Sequence, residues 1–372
     1  MEPITVAYMV IQLETGGTER QLVALLEGLD RSRFRPVVVV ERAGGALEQA
    51  VRDLGIPIHV EGRRWRWDPL VPIRLARLLR RERVDIVHAF ESMEDVYGVV
   101  AGVLGGVPVR LMTWLSLRYP RAHMALLWLA MPFATRLIAN SEHARRWLQR
   151  RYRPASRVIA IPNGLDVEFY ARARDVAAKR RELGLADDER PVLGMVARLR
   201  PEKDHETLLH ATKLLVNRYP KLVLLLAGDG PRQAELERAA ARMLAPGRCR
   251  FLGNRKDVAD LYHVFDVSLL MTEYEGMPNA VMEAMAAARP VVATNVEGCA
   301  DLIADGVNGV LVPPHDAPAL ADAVARVLGD EALARRLGAA AQRTMREGYS
   351  LRMLVERHER LYEELAARRR RR

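Results

Sequence analysis

The sequence predicts an α/β protein built from two doubly wound parallel sheets. Three observations lead there. Strand-like and helix-like segments alternate from end to end. The alternation starts twice, at the N-terminus and again near residue 191, each time as strand, short polar loop and helix. At 372 residues the chain is also long enough for two domains.

In the first half, ITVAYMVI (4–11) is a strand; with no basic leader before it, it is not read as a signal peptide. Residues 18–29 form an amphipathic helix. RPVVVVE (35–41) is continuously β-branched, as in a strand buried on both faces. Residues 46–54 form a helix stopped by Gly55, and IPIHVE (56–61) is the next strand. Pro72 opens the helix IRLARLLRRER, since proline suits a first helical position. VDIVHAF (84–90), PVRLMTW (108–114) and RLIANS (136–141) are strands. The apolar stretch AHMALLWLAMPFATRLIAN (122–140) is broken by Pro132 and Arg136, so it is a buried or interfacial helix and not a membrane span.

The second half opens with strand PVLGMVA (191–197) and a helix over 202–218. Strand KLVLLLAGDG (221–230), helix 231–244, strand CRFLG (249–253) and helix 257–264 follow. Then come strand DVSLLM (266–271), helix 279–288 and strand PVVAT (290–294), with helices over most of the rest. Domains are expected at 1–165 and 166–350, with a final helix within 351–372 free to pack back on the first. No low-complexity linker parts the halves, so the expectation is two domains facing a central cleft. Ligands in such sheets sit outside the carboxyl ends of strands.

Composition narrows the function. Apolar residues are 49% and charged residues 28%, a globular balance with ample core. Cys249 and Cys299 lie far apart without metal spacing, which suits free thiols in a reducing, cytoplasmic setting. The net charge of +10 and the tail Arg368 to Arg372 suggest anionic partners: nucleotide, phospholipid or nucleic acid. A solvated tail explains the arginines equally well. A nucleic-acid binder would need a recognisable motif or an aromatic stacking platform. Neither is present, with aromatics at 6%, so nucleic acid is not expected as a partner.

Four strand-to-helix loops carry chemistry. In QLETGGTERQL (12–22), Gly16 and Gly17 would let backbone approach an anion at a helix start, though a structural turn fits as well. In VARLRPEKDHETLL (196–209), Arg198 and Lys203 lie five apart across a turn, a fork and a point charge for phosphate oxygens; surface charge is the plain alternative. Gly228 and Gly230 flank Asp229 at the end of an apolar strand. In EYEGMPNAVMEAMA (273–286), Glu275 precedes a helix and Glu283 lies in or near its first turn. Side chains tilt toward a helix's N-terminus, so both acids can reach one mouth. The free N–H groups over Gly276, Met277, Pro278, Asn279 and Ala280, where proline has none, would face a diphosphate.

The ordered set GGTE, NGLD, R-x4-K, GDG and E-x7-E, with GVNGVLVPPHD (306–316) behind it, resembles the retaining glycosyltransferases of family four, also called group 1. The likeness covers nearly the whole chain and is strongest over 192–315. It implies the GT-B fold: two Rossmann-like domains with the active site between them, the second binding a nucleotide-sugar donor and the first the acceptor. By that resemblance Arg198 and Lys203 would stabilise the leaving diphosphate. Glu275 would hold the donor sugar and Glu283 the ribose. Gly16, Gly17, Gly228, Gly230 and Arg255 would complete the donor site. His88, Trp114 and Asn163 are candidates for the acceptor side.

No metal or cofactor is expected, since two cations and a helix start can stabilise the leaving group. The implied reaction moves a hexosyl unit from a nucleotide sugar, UDP before GDP, to a lipid-linked or polysaccharide acceptor. A nucleotide-sugar epimerase or an inverting transferase is the enzymatic alternative. Arg63, Arg64 and Arg66 interleave with Trp65 and Trp67; with Arg118 and Arg121 they suggest a grip on a lipid diphosphate or an anionic membrane surface, an exposed basic loop being the plain alternative. Three departures from the family stand out. Trp114 occupies the neighbourhood of a usual histidine, Asp204 follows Lys203 where glycine is frequent, and Ala288 replaces a glycine before PVV.

Overall fold

A computed structural model describes residues 2–14, 16–63, 68–90, 92–114 and 121–370. The chain forms two compact units: Met1–Gly164 together with Leu351–Arg372, and Leu165–Ser350.

In the first unit the order is β1 (Ile4–Val10), α1 (Gly17–Gly28), β2 (Phe34–Val40), α2 (Glu48–Asp53), β3 (Ile58–Val60), α3 (Val71–Arg81) and β4 (Ile86–Phe90). Then follow α4 (Ser92–Gly105), β5 (Val109–Trp114), α5 (Arg121–Ala130), β6 (Arg136–Ala139), α6 (Glu142–Arg151) and β7 (Val158–Ala160). The described residues make a seven-stranded parallel sheet, ordered β3-β2-β1-β4-β5-β6-β7. The β-branched run of β2 is buried along nearly its whole length, as its sequence requires. Ser141 starts α6 by accepting the Ala144 N–H at 3.1 Å.

The second unit holds α7 (Val167–Ala171), α8 (Val176–Glu182), β8 (Val192–Val196), α9 (His205–Val216), β9 (Val223–Ala227), α10 (Gln233–Met243) and β10 (Cys249–Gly253). It continues through α11 (Val258–Val264), β11 (Val267–Leu270), α12 (Asn279–Ala286), β12 (Val291–Thr294), α13 (Glu297–Leu302), β13 (Val310–Val312), α14 (Ala317–Gly329) and α15 (Glu331–Gly348). Its six strands, also parallel, are ordered β10-β9-β8-β11-β12-β13.

Helix α16 (Leu351–Arg370) then packs on the first unit. Leu354, Val355, Leu361, Tyr362 and Leu365 enter its core, and Val355 lies where a Cβ on Gly28 of α1 would sit. Burying a large apolar side chain contributes about 1.5–3 kcal/mol, so five of them make this helix part of the unit's core.

Several elements go beyond the sequence reading. α4 is rich in valine and glycine and carries no clear polar face. β7 and β13 have three residues each, too few for a period. The helix expected over 202–218 is divided: Pro201–Lys203 is a short turn, Asp204 turns left-handed at φ 34°, and only then does α9 begin. Among the described residues, no helix is long and apolar enough to cross a membrane.

Both sheets share one topological property. Strand order reverses between β1 and β4 in the first and between β8 and β11 in the second. Loops leaving two such strands diverge to opposite sides, and a crevice opens at their carboxyl ends.

Candidate functional site

The reversal in the second unit collects the charged residues. Arg198 leaves the end of β8, exposed, and its side chain pairs with nothing among the described residues. Lys203 closes the turn before α9, and its ammonium pairs with the Glu275 carboxylate on the loop after β11. Side chains of this pair are 20% and 16% exposed, so both charges are partly withdrawn from water yet reachable. Backbone ties fix the two loops together: the Glu273 N–H donates to the Glu202 carbonyl at 2.9 Å, and the Thr272 hydroxyl reaches the same carbonyl at 3.0 Å. Thr294, at the end of β12, accepts the Thr272 N–H at 2.9 Å.

Helix α12 begins just beyond Glu275. Pro278 precedes it, and its carbonyl takes the Val281 and Met282 N–H groups at 3.1 and 3.2 Å. The N–H groups of Gly276, Met277 and Ala280 find no acceptor among the described residues. They form, with the helix dipole, a local concentration of positive potential. Glu283 is the fifth residue of α12, at the end of its first turn or so, and is buried. The Tyr262 hydroxyl of α11 donates to its Oε2 at 2.9 Å. Burial, then the Glu283 charge, push the Tyr262 phenol well above its ordinary range, so it stays a donor.

The glycines divide by role. A Cβ on Gly228, at φ 142°, would lie 2.0 Å from the Ala197 carbonyl oxygen, and one on Gly230 2.4 Å from that of Leu199. These glycines let the turn after β9 lie against the Arg198 segment, an arrangement sealed by the Leu199 N–H to Asp229 carbonyl bond at 2.8 Å. Gly298 of α13, unread in the sequence, does the same for the other loop: its Cβ would lie 2.7 Å from the carbonyl oxygens of Glu275 and Gly276. Arg255 is committed elsewhere. It holds Asp257 at 2.7 Å and Glu182 at 2.6 Å, in a network that includes Lys179; these cations hold the Asp257 carboxyl far below its usual range.

In the first unit Gly16 precedes α1 with φ −73°, a backbone any residue can adopt, and a Cβ there would meet only the flexible end of Glu19. Gly17 is exposed at the helix start. Asn163 is half-buried, and Gln21 of α1 clamps the neighbouring Gly164 with two bonds of 2.8 Å.

Two acceptor candidates are corrected. His88 lies inside β4, fully buried, with Nδ1 2.7 Å from the Tyr362 hydroxyl and Nε2 2.8 Å from that of Thr113. Burial, and then His358, hold it neutral, well below the usual imidazole range. Both ring nitrogens are therefore used within the core, which leaves none for a substrate. Trp114 is likewise core, 2% exposed and packed near Trp147. Of the basic loop, Arg63 turns inward to pair with Glu41 and covers the Tyr97 ring at 5.7 Å. That removes it from any outer surface; residues 64–67 and 118 lie outside the described residues, as does the side chain of Arg121.

Residues 176–344 match the family described as glycosyl transferases group 1, and residues 15–169 match glycosyltransferase family 4. A UDP-Gal:alpha-D-GlcNAc-diphosphoundecaprenol alpha-1,3-galactosyltransferase of Escherichia coli is 28% identical over 346 residues, 89% of each chain. Among solved structures, Anabaena HepE in complex with UDP superposes with a TM-score of 0.87 at 23% identity, over 97% of this chain and 100% of that one. WaaG, a glycosyltransferase involved in lipopolysaccharide biosynthesis, does so with 0.73 at 17% identity, over 95% and 98%. HepE is also known with UDP-glucose. These structural likenesses establish the GT-B fold.

Proposed function

The chain belongs to the group 1, family four glycosyltransferases, and from that premise we propose that it transfers a hexosyl unit from a UDP-sugar to a lipid-linked or polysaccharide acceptor, with retention and without a metal. The observation that carries this reading is the Lys203–Glu275 pair at the strand-order reversal, with unpaired Arg198 beside it.

The pair has a chemical consequence. Without donor, each charge neutralises the other. A diphosphate arriving between Arg198 and Lys203 competes for the ammonium and frees the Glu275 carboxylate to accept hydrogen bonds from sugar hydroxyls. As the glycosidic C–O bond breaks, negative charge grows on the leaving β-phosphate oxygen. Arg198, Lys203 and the N–H groups at the start of α12 meet it, and fixed donors of this kind are usually a leading catalytic term. Glu283, held by the Tyr262 hydroxyl, is in this reading the acceptor for the ribose hydroxyls.

UDP is preferred because HepE binds UDP and UDP-glucose and the Escherichia coli relative uses UDP-Gal. A lipid-linked acceptor, held by the first unit at the inner membrane face, follows the diphosphoundecaprenol named for that relative. The test is donor turnover across UDP-, GDP- and ADP-sugars, for the wild type and Glu275→Ala. One donor consumed, with loss in the variant, supports the reading. No turnover and no binding of any donor by the folded protein would sink it. Saturating EDTA should leave the rate unchanged; a rate abolished by EDTA and restored by a divalent ion would refute metal independence.

A further inference from the structure

Two residues beside the Lys203 turn hold a backbone that L side chains seldom adopt. Asp204 has φ 34° and His315 φ 59°. Neither is glycine, and they face each other, His315 Nδ1 lying 3.0 Å from Asp204 Oδ2. Asp204 is buried, and its Oδ1 accepts the Thr207 N–H at 3.3 Å, capping α9. Its Oδ2 receives no hydrogen bond from the described residues, and the group that faces this buried oxygen is the largely exposed imidazole of His315. His315 lies on the loop between β13 and α14, where Asp316 caps α14 through the Ala319 N–H at 2.9 Å. Helices α9 and α14 pack against each other, which brings the two caps together.

Left-handed non-glycine residues persist where their surroundings over-determine them, and they cluster at functional sites. Here the conformation is adjacent to Lys203. The turn carrying that lysine is fixed on one side at the Glu202 carbonyl by the loop after β11. Asp204 fixes it on the other, through the loop after β13.

We propose that Asp204 and His315 are a positioning pair, which sets the direction in which Lys203 leaves the backbone and holds its ammonium on the donor diphosphate. The inference rests on the donor-site reading above. Neither residue touches substrate; both act through Lys203.

The test is steady-state kinetics of the full chain with the nucleotide sugar that the wild type turns over fastest, beside thermal melts. His315→Gly relieves the left-handed backbone but removes the imidazole that faces Asp204. These effects oppose each other in stability, so Tm should move by no more than about 2 °C. kcat should fall by roughly tenfold, since small displacements of a catalytic group are costly. His315→Lys, which puts an ammonium donor within reach of the Asp204 carboxylate, should recover most of the loss. A wild-type kcat in His315→Gly, or a loss that tracks Tm and is not recovered by lysine, overturns the pair while leaving the donor site standing. A wild type that consumes no nucleotide sugar overturns the donor-site reading, and the pair with it.

Discussion

The two units repeat one device and use it differently. In the second, the turn after β9 braces the loop after β8 through Gly228 and Gly230. The first has its counterpart after β2: Gly45, at φ 112°, would place a Cβ 2.3 Å from the Leu13 carbonyl oxygen, and the Leu47 N–H bonds that carbonyl at 2.9 Å. Each first loop is thus held by the next strand's turn. What the braced loops carry differs. Arg198 and Lys203 stand on one, with Glu275 across the reversal; Gly16 and Gly17 stand on the other, with no fixed charge at those positions. A shared scaffold makes the crevice, and side chains on its loops decide the chemistry.

The largest effect expected from breaking this contrast is at Lys203. Lys203→Ala should lower kcat by about 10²–10³-fold, or about 3–4 kcal/mol, with the fold intact by circular dichroism. Gly16→Ala on the unit 1 loop should leave stability within about 0.5 kcal/mol, because only the Glu19 side chain must move. Equal and large kinetic losses from both variants would mean that the two loops share one catalytic charge function.

Acid should separate the units next. His88 and His358 are buried in the first with ring centroids 5.5 Å apart, and burial depresses both, His358 to about 4. A histidine with a lowered folded pKa takes up protons more readily when unfolded. Its stabilising contribution is therefore complete above the ordinary value of 6.5 and fades as pH falls below it. Loss from His358 alone should reach roughly 3 kcal/mol near pH 4. In the second unit His205 is depressed to about 4 as well, by burial and then Arg232; His263 is lowered too, but it is only half-buried and its hydrogen bond to the Tyr170 carbonyl opposes the effect of burial. All five tryptophans (65, 67, 114, 128 and 147) lie in the first unit. Tryptophan fluorescence should therefore lose its native signal at a higher pH than circular dichroism loses the remaining helix; coincident transitions would count against the contrast.

Smaller effects should follow at packed backbone. Gly298→Ala should destabilise by about 1–3 kcal/mol, because its Cβ must push the Glu275 carbonyl, and donor KM should rise with it. The smaller of these two is Ala288→Gly. Ala288 sits at φ 55°, so glycine should stabilise by about 1 kcal/mol, seen as a higher denaturant midpoint at unchanged slope.

Those last positions show what the sequence makes legible. Alternation revealed both parallel sheets, because β9 and the run 36–40 of β2 are continuously apolar. Charge spacing pointed to Lys203 and Glu275, which the fold brings into contact. Glycines misled, because a glycine that approaches a ligand and one that approaches backbone look alike in sequence: Gly228 and Gly230 press on carbonyls, and Gly298 and Gly45 gave no signal. His88 misled similarly, since its partner Tyr362 arrives from 274 residues away. The departures at Asp204 and Ala288 were visible as missing glycines, and both sit at positive φ. What no local pattern could give was His315 meeting Asp204.

The central claim is that Lys203 trades Glu275 for a diphosphate. Calorimetric binding of UDP to wild type and Glu275→Gln, beside their donor turnover, tests it most directly. Removing the carboxylate charge frees the ammonium, so the account predicts tighter UDP binding together with slower transfer. If the variant binds UDP more weakly, or transfers sugar at the wild-type rate, the exchange does not occur.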